Sequence, residues 1–132
     1  MENDEMKTVL APCAGKFDSR LNEPGPNALV TDDGVVLIYN GMNLPEDDPD
    51  RDRKLEPDTY SAGQALFAVD DPSRNIDRTE HYFMTPDKPY EKEGQVSLVC
   101  FVEGLVHFKG KYFLYYGTAD SKIAVAIWDP DD

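Results

Sequence analysis

Acidic side chains at strand junctions are the residues of this chain best suited to chemistry. The stretch "FLYYGTADSKIAVA" (residues 113–126) reads as an apolar strand, a polar break and a second apolar strand, with Asp120 at the junction. An ionised carboxylate there can accept hydrogen bonds from two neighbouring hydroxyls of a ligand. Its plainer role is to cap the hairpin turn with Ser121. Glu103 interrupts the otherwise apolar run "SLVCFVEGLVHF", and is either functional or placed at a strand bend beside Gly104. No serine elbow, Cys–His arrangement or Gly-rich phosphate loop accompanies them. Cys13 and Cys100 lie far apart, neither in a CxxC pair, and only His81 and His107 would be left to complete a zinc site. No metal and no cofactor is therefore expected, and Cys100, within its apolar run, reads as a buried inert thiol.

Charge narrows the partners. The 132 residues carry 26 acidic and 13 basic side chains, a formal charge of -13. Such a field repels phosphate backbones and anionic lipid, so neither nucleic acid nor a membrane surface is an expected partner. A neutral carbohydrate is indifferent to it. No apolar run approaches the ~18 residues of a membrane span, and the opening "MENDEMKTVL" is acidic where a signal peptide is basic. As written the chain is expected in the cytoplasm, or secreted or periplasmic if a further N-terminal portion precedes it.

The elements that must position these acids are short, β-branched and aromatic, and bounded by Gly, Pro, Asn and Asp. "NALVTDDGVVLIYNG" predicts two strands joined at Asp32-Asp33-Gly34, "TYSAGQALFAVDD" a third and "EHYFMTP" a short fourth. "VSLVCFVEGLVHFKGKYFLYYG" predicts a hairpin turning at Lys109-Gly110-Lys111, and "KIAVAIWDP" one more strand. The two hairpins share a form: Leu29-Val30 corresponds to Leu105-Val106, Gly34 to Gly110, and Gly41 to Gly117. The expected fold is all-β and antiparallel, without a long helix, comprising about two blades of a β-propeller. Residues 43–58, dense in charge and holding Pro45, Pro49 and Pro57, read as a solvated surface insertion that buries nothing. Propellers close into rings of ~4 to 8 blades, so two blades leave apolar flanks bare. Self-association, or blades missing on the N-terminal side, is therefore expected.

The motifs "FDSRLNEPGPNALVTDDGVVLIYNG", "YSAGQALF", "PYEKEG" and "FVEGLVHFKGKYFLYYGTADSKIAVA" occur in that order. Together they resemble the C-terminal portion of glycoside hydrolase family 130, five-bladed propellers that act as β-mannoside phosphorylases or β-mannosidases. On this resemblance residues 1–132 are a single C-terminal propeller portion. The resemblance implies that Asp120 points into the central funnel and binds sugar hydroxyls, and that Glu91 also lines the funnel. Glu103 joins them as a candidate substrate contact. The aromatics of "KYFLYY" either stack on sugar faces or pack the blade. In the phosphorylase members a small residue stands near position 23, a basic residue two positions earlier and a histidine at the later strand end. Here those places hold Glu23, Leu21 and Asn40. Leu21 cannot bind an anion and Glu23 repels one, so hydrolysis of β-mannosides is expected over phosphorolysis, with Glu23 the candidate catalytic base. Glu23 reads equally well as a surface acid ahead of the "PGP" turn. The general acid of the family lies in the N-terminal blades, and no motif here corresponds to it, so turnover by this chain alone is not expected. The alternative function is a non-catalytic carbohydrate-binding propeller fragment.

Overall fold

The computed structural model describes residues 5–132 and holds two antiparallel sheets. The first contains β1 (Leu21–Pro24), β2 (Leu29–Thr31), β3 (Gly34–Met42), β4 (Tyr60–Phe67) and β5 (Asn75–Arg78). The second contains β6 (Cys100–Phe108), β7 (Lys111–Thr118) and β8 (Lys122–Trp128). A four-residue helix, α1 (Pro89–Lys92), lies between them. Among the described residues no helix is long and apolar enough to cross a membrane. The expected pair of propeller blades is present, and the sheets close into no barrel.

β1 and β2 both pair with β3, at its two ends, so they form one edge strand broken at residues 25–28. Gly25 lies close against β3 at the break. A Cβ on Gly25 would stand 2.6 Å from the Ile38 carbonyl oxygen, to which the Gly25 N–H already donates. The blade therefore runs β1/β2–β3–β4–β5. The two predicted hairpins form where the sequence places them. Thr31 pairs with Gly34, and the Thr31 hydroxyl closes the turn onto the Gly34 carbonyl. Phe108 pairs with Lys111 around Lys109 (φ 50) and Gly110 (φ 77), the left-handed pair of a type I′ turn. The second sheet has three strands where a full blade has four.

The predicted fourth strand of the first blade is displaced. "EHYFMTP" supplies only an isolated bridge between Ala62 and Met84, and β5 forms upstream at Asn75–Arg78. Tyr82 and Phe83 remain exposed, so the apolar look of that segment reflects the single inward residue Met84 rather than an alternating face. β5 is tied in from outside the sheet. Arg78 donates to the buried Asp18 carboxylate and to the Ala11 carbonyl, and its guanidinium stands over the Tyr39 ring. The Tyr39 hydroxyl donates to the same Asp18 oxygen at 2.9 Å.

Two apolar clusters hold the sheets. Phe17, Tyr39, Ala65 and Phe67 pack on one face of the first blade. Ala62, Cys100, Val102, Leu114 and Tyr116 fill the space between blades. Segment 43–58 is a surface loop, but it does bury side chains. Asn43 is fully buried, donates to the carbonyls of Asp52, Leu55 and Glu56, and accepts from Ser19 Oγ and the N–H groups of Leu44 and Asp52. That hub folds the loop back so that Leu55 packs beside the Phe17–Tyr39 cluster.

Candidate functional site

The blades meet along β1, β3 and β4 on one side and β6 on the other, and the candidate acids gather at one end of that seam. β1 alternates its side chains, and Glu23 pairs with Asn40, so both point toward β6. Asn40 is fully buried between the blades. Its Oδ1 accepts from the Val102 N–H at 2.7 Å, and its Nδ2 donates to the Val102 carbonyl at 3.0 Å. β6 has a strand partner on one side only, so Asn40 supplies what a neighbouring strand would. Asn40 is thus spent on holding the blades together.

Glu23 is half-buried, and its Oε2 is shielded from solvent without a hydrogen-bond partner. Both polar atoms of the Asn22 amide are likewise buried and unpaired. Unsatisfied polar atoms are costly, and all three of these lie on β1. Tyr60, at the start of β4, stands beside Glu23. Burial raises the Tyr60 pKa, the Glu23 carboxylate raises it further, Arg20 lowers it and Asp120 adds a smaller upward push. The hydroxyl therefore senses Glu23, Arg20 and Asp120 together. Its ring meets Phe101 of β6 edge to face, with centroids 5.7 Å apart.

Phe101 leads into an open cleft of about 740 Å³ lined by Gln95, Glu103, Gly117, Asp120, Ser121 and Lys122 among others. Glu103 arrives there through a β-bulge. The β6–β7 register shifts between Val102 and Gly104, leaving Glu103 as the extra, exposed residue. The bend suspected beside Gly104 and a place in the cleft are the same feature. Asp120 is exposed on the β7–β8 turn, where Ala119 (φ 46) and Asp120 (φ 50) both adopt left-handed backbone and the Ser121 N–H donates to the Thr118 carbonyl. A non-glycine pair in that conformation is strained, and such strain collects at functional sites. Within reach of one ligand the cleft thus offers two free carboxylates and the face of Phe101. Carboxylates accept from hydroxyls, and an aromatic face covers the apolar side of a ring, which together suit a polyol.

Glu91, expected to line the funnel, is buried at 4% exposure. Its Oε1 accepts from the Tyr116 hydroxyl at 2.6 Å, and its Oε2 accepts from the N–H groups of Asp87 and Lys88 at 2.7 and 2.8 Å. Burial alone would raise its pKa. The hydrogen bonds from Tyr116, Asp87 and Lys88 outweigh burial and hold the carboxyl below its ordinary value, so it is ionised. Both oxygens are thus engaged by donors of the protein itself. Tyr60, Asn22 and Arg20 were not picked out by sequence reasoning. Tyr60 opens the quoted "YSAGQALF", but nothing in that motif distinguishes a site tyrosine from a strand tyrosine. Arg20 is an exposed cation paired with Asp58 at 2.9 Å. Among the described residues no group of three or more His, Cys, Asp and Glu is placed to hold a metal ion.

Comparison with known proteins adds the following. The family model of glycoside hydrolase family 130, described as β-1,4-mannooligosaccharide phosphorylase, matches residues 3–132. A glycosyl hydrolase from Bacteroides ovatus, solved by crystallography, superposes on 100% of the chain with a TM-score of 0.93 and 43% identity, the chain covering 36% of that structure. A second solved structure comes from the family 130 mannoside phosphorylases, a family containing glycoside hydrolases that target β-1,2-mannosidic linkages in Candida mannan. It matches with a TM-score of 0.93 and 41% identity over 100% of this chain and 36% of its own. The 1,2-β-oligomannan phosphorylase of a Thermoanaerobacter species is 29% identical over 126 residues, 96% of this chain and 38% of that protein. The chain thus spans little more than a third of the length of the relatives it matches.

Proposed function

The chain belongs to glycoside hydrolase family 130, and from that premise we propose that it forms the sugar-gripping third of a β-mannoside-active enzyme that hydrolyses its substrate. The fold of the family is a five-bladed propeller, of which two blades are described here. The observation that carries the reading is the clustering of Asp120, Glu103 and Phe101 on one cleft with Glu23 and Tyr60 at its seam. Asp120 accepts hydroxyl hydrogen bonds from the bound mannose unit, Phe101 covers an apolar ring face, and Glu103 reaches from the opposite side.

Glu23 acts as the base. Its unpaired Oε2 takes a proton from a water molecule while the water oxygen bonds to the anomeric carbon and the glycosidic C–O bond breaks. The leaving oxygen is protonated by an acid outside residues 1–132, as inversion through two carboxyl groups ~6.5–9.5 Å apart requires. Hydrolysis is favoured over phosphorolysis on charge. Leu21 offers no charge to an anion and the neighbouring Arg20 is already paired with Asp58, whereas Glu23 would repel phosphate.

The test is product analysis with β-1,2-mannobiose. This chain is supplied alone, and then mixed with the complementary N-terminal blades of a family member. The chain alone is expected to be inactive, and the mixture to release mannose without inorganic phosphate. Production of mannose 1-phosphate, at a rate that rises with added phosphate, would overturn the hydrolytic assignment. Saturable binding with no turnover in the mixture would favour a carbohydrate-binding role instead.

A further inference from the structure

We propose that Glu91 is a positioning residue for Asp120, anchoring a clamp of residues 88–99 that holds the strained turn on which Asp120 sits. This rests on the reading of Asp120 as a sugar contact. The turn is strained: Ala119 and Asp120 are consecutive non-glycine residues with left-handed backbone, at positions where asparagine and glycine are the usual occupants. Within the hairpin Ser121 closes it, its N–H donating to the Thr118 carbonyl and its Oγ to the Ala119 carbonyl, and the segment around Glu91 braces it from outside.

The connections can be followed atom by atom. The Ala119 N–H donates to the Val99 carbonyl at 3.0 Å, and the Val99 N–H donates to the Glu91 carbonyl at 3.1 Å. The Val96 N–H donates to the Ala119 carbonyl at 3.2 Å, and the Gln95 N–H donates to Ser121 Oγ at 2.9 Å. Both chain neighbours of Asp120 are therefore held by residues 95–99, while its own side chain is left free in the cleft. Contact is so close at Gly94 that a Cβ there would stand 2.5 Å from the Ala119 oxygen and 2.7 Å from the Ala119 Cβ. Glu91 fixes the other end of the clamp. One carboxylate oxygen gathers the N–H groups that open α1, and the other binds the Tyr116 hydroxyl, on the same strand that leads into the turn. The carboxylate thus joins clamp and strand into one unit, and burial with three donors gives it a single orientation.

Two variants and one rescue test this. Hydrogen exchange is read at the Ala119 amide against the amides of β3 and β4 as an internal reference, and β-1,2-mannobiose affinity is measured in parallel. E91A is expected to speed exchange at Ala119 about tenfold or more, with the reference amides little changed. G94A, which pushes directly on the turn, is expected to do the same. Both are expected to weaken mannobiose binding by about tenfold, because the acceptor is misplaced although still present. E91Q is expected to recover most of both properties. Its amide oxygen can accept from Asp87 and Lys88 while its NH₂ donates to the Tyr116 oxygen. Uniform acceleration of all amides in E91A would reduce Glu91 to a general stability role and overturn the proposal. So would a Q variant as damaging as the A variant, which would instead indicate a charge in direct contact with sugar. The Asp120 reading fails separately, if D120N binds mannobiose as wild type does while the exchange results stand.

Discussion

Replacing Asn40 with alanine is expected to destabilise the chain by an amount that can be worked from its hydrogen bonds. Asn40 and Val102 are both fully buried, and the Asn40 amide satisfies the Val102 N–H at 2.7 Å and the Val102 carbonyl at 3.0 Å. A weaker third bond at 3.4 Å reaches the Pro24 carbonyl and ties in β1. Alanine leaves one donor and one acceptor of Val102 buried without partners, at ~1–3 kcal/mol for each. The sum, about 2–6 kcal/mol, is a large part of the 5–15 kcal/mol that holds a typical domain of this size. Aspartate tests the geometry further. It keeps an acceptor for the Val102 N–H, but turns its second oxygen toward the carbonyls of Val102 and Pro24, so N40D should be no more stable than N40A. Equilibrium urea unfolding of the three proteins, followed by tyrosine and tryptophan fluorescence, gives the differences. If N40A and N40D both unfolded within about 0.5 kcal/mol of wild type, the range of an ordinary surface change, Asn40 would not be the tie between blades.

Other outcomes follow from the same contacts. Arg78→Met should cost about 3–5 kcal/mol, because it strands the buried Asp18 carboxylate. Burial pushes the Tyr39 hydroxyl from 10.0 to about 12; the fold keeps that proton longer than the unfolded chain does, so its contribution to stability is complete below pH ~10 and lost as pH rises through ~12. Burial also raises Tyr116 and Tyr60, so spectrophotometric titration should show several late tyrosines, of which Tyr39→Phe removes one. Burial likewise pushes the Cys100 thiol up to about 12 while Cys13 is partly exposed, so a disulfide reagent should label one thiol in the native chain and two after denaturation. The face of β6–β8 turned away from the first blade leaves Val106, Ile123, Val125 and Ile127 at 48%, 78%, 44% and 58% exposure. We expect the chain to self-associate through it at micromolar concentration, and Ile127→Lys to return it to monomer in sedimentation.

The hairpins were legible in the sequence because their turns need glycine at fixed places. Gly34 at φ +140 would set a Cβ 2.4 Å from the Phe67 carbonyl oxygen, and Gly110 completes a left-handed pair. Long-range polar contacts were not legible. β5 carries no apolar pattern and is held by Arg78 reaching Asp18, 60 residues away. Asn43 turns a charged loop inward through six hydrogen bonds to backbone and to Ser19, which composition cannot foretell. Glu91 and Glu93 look alike in "PYEKEG", yet one is buried by a tyrosine 25 residues downstream and the other is exposed. Asp120 and Glu103 were visible as acids out of place among apolar residues, and the structure puts both on one cleft. Tyr60 was hidden because a site tyrosine and a packing tyrosine have the same sequence signature in a strand.

The account stands most directly on one titration: β-1,2-mannobiose added to the ¹⁵N-labelled chain, wild type beside D120N. The account predicts saturable shifts at Phe101, Gly117, Asp120 and Ser121 in the wild type, and their loss in a D120N variant that remains folded. Shifts confined to residues away from that cleft, or binding that D120N leaves unchanged, would contradict it.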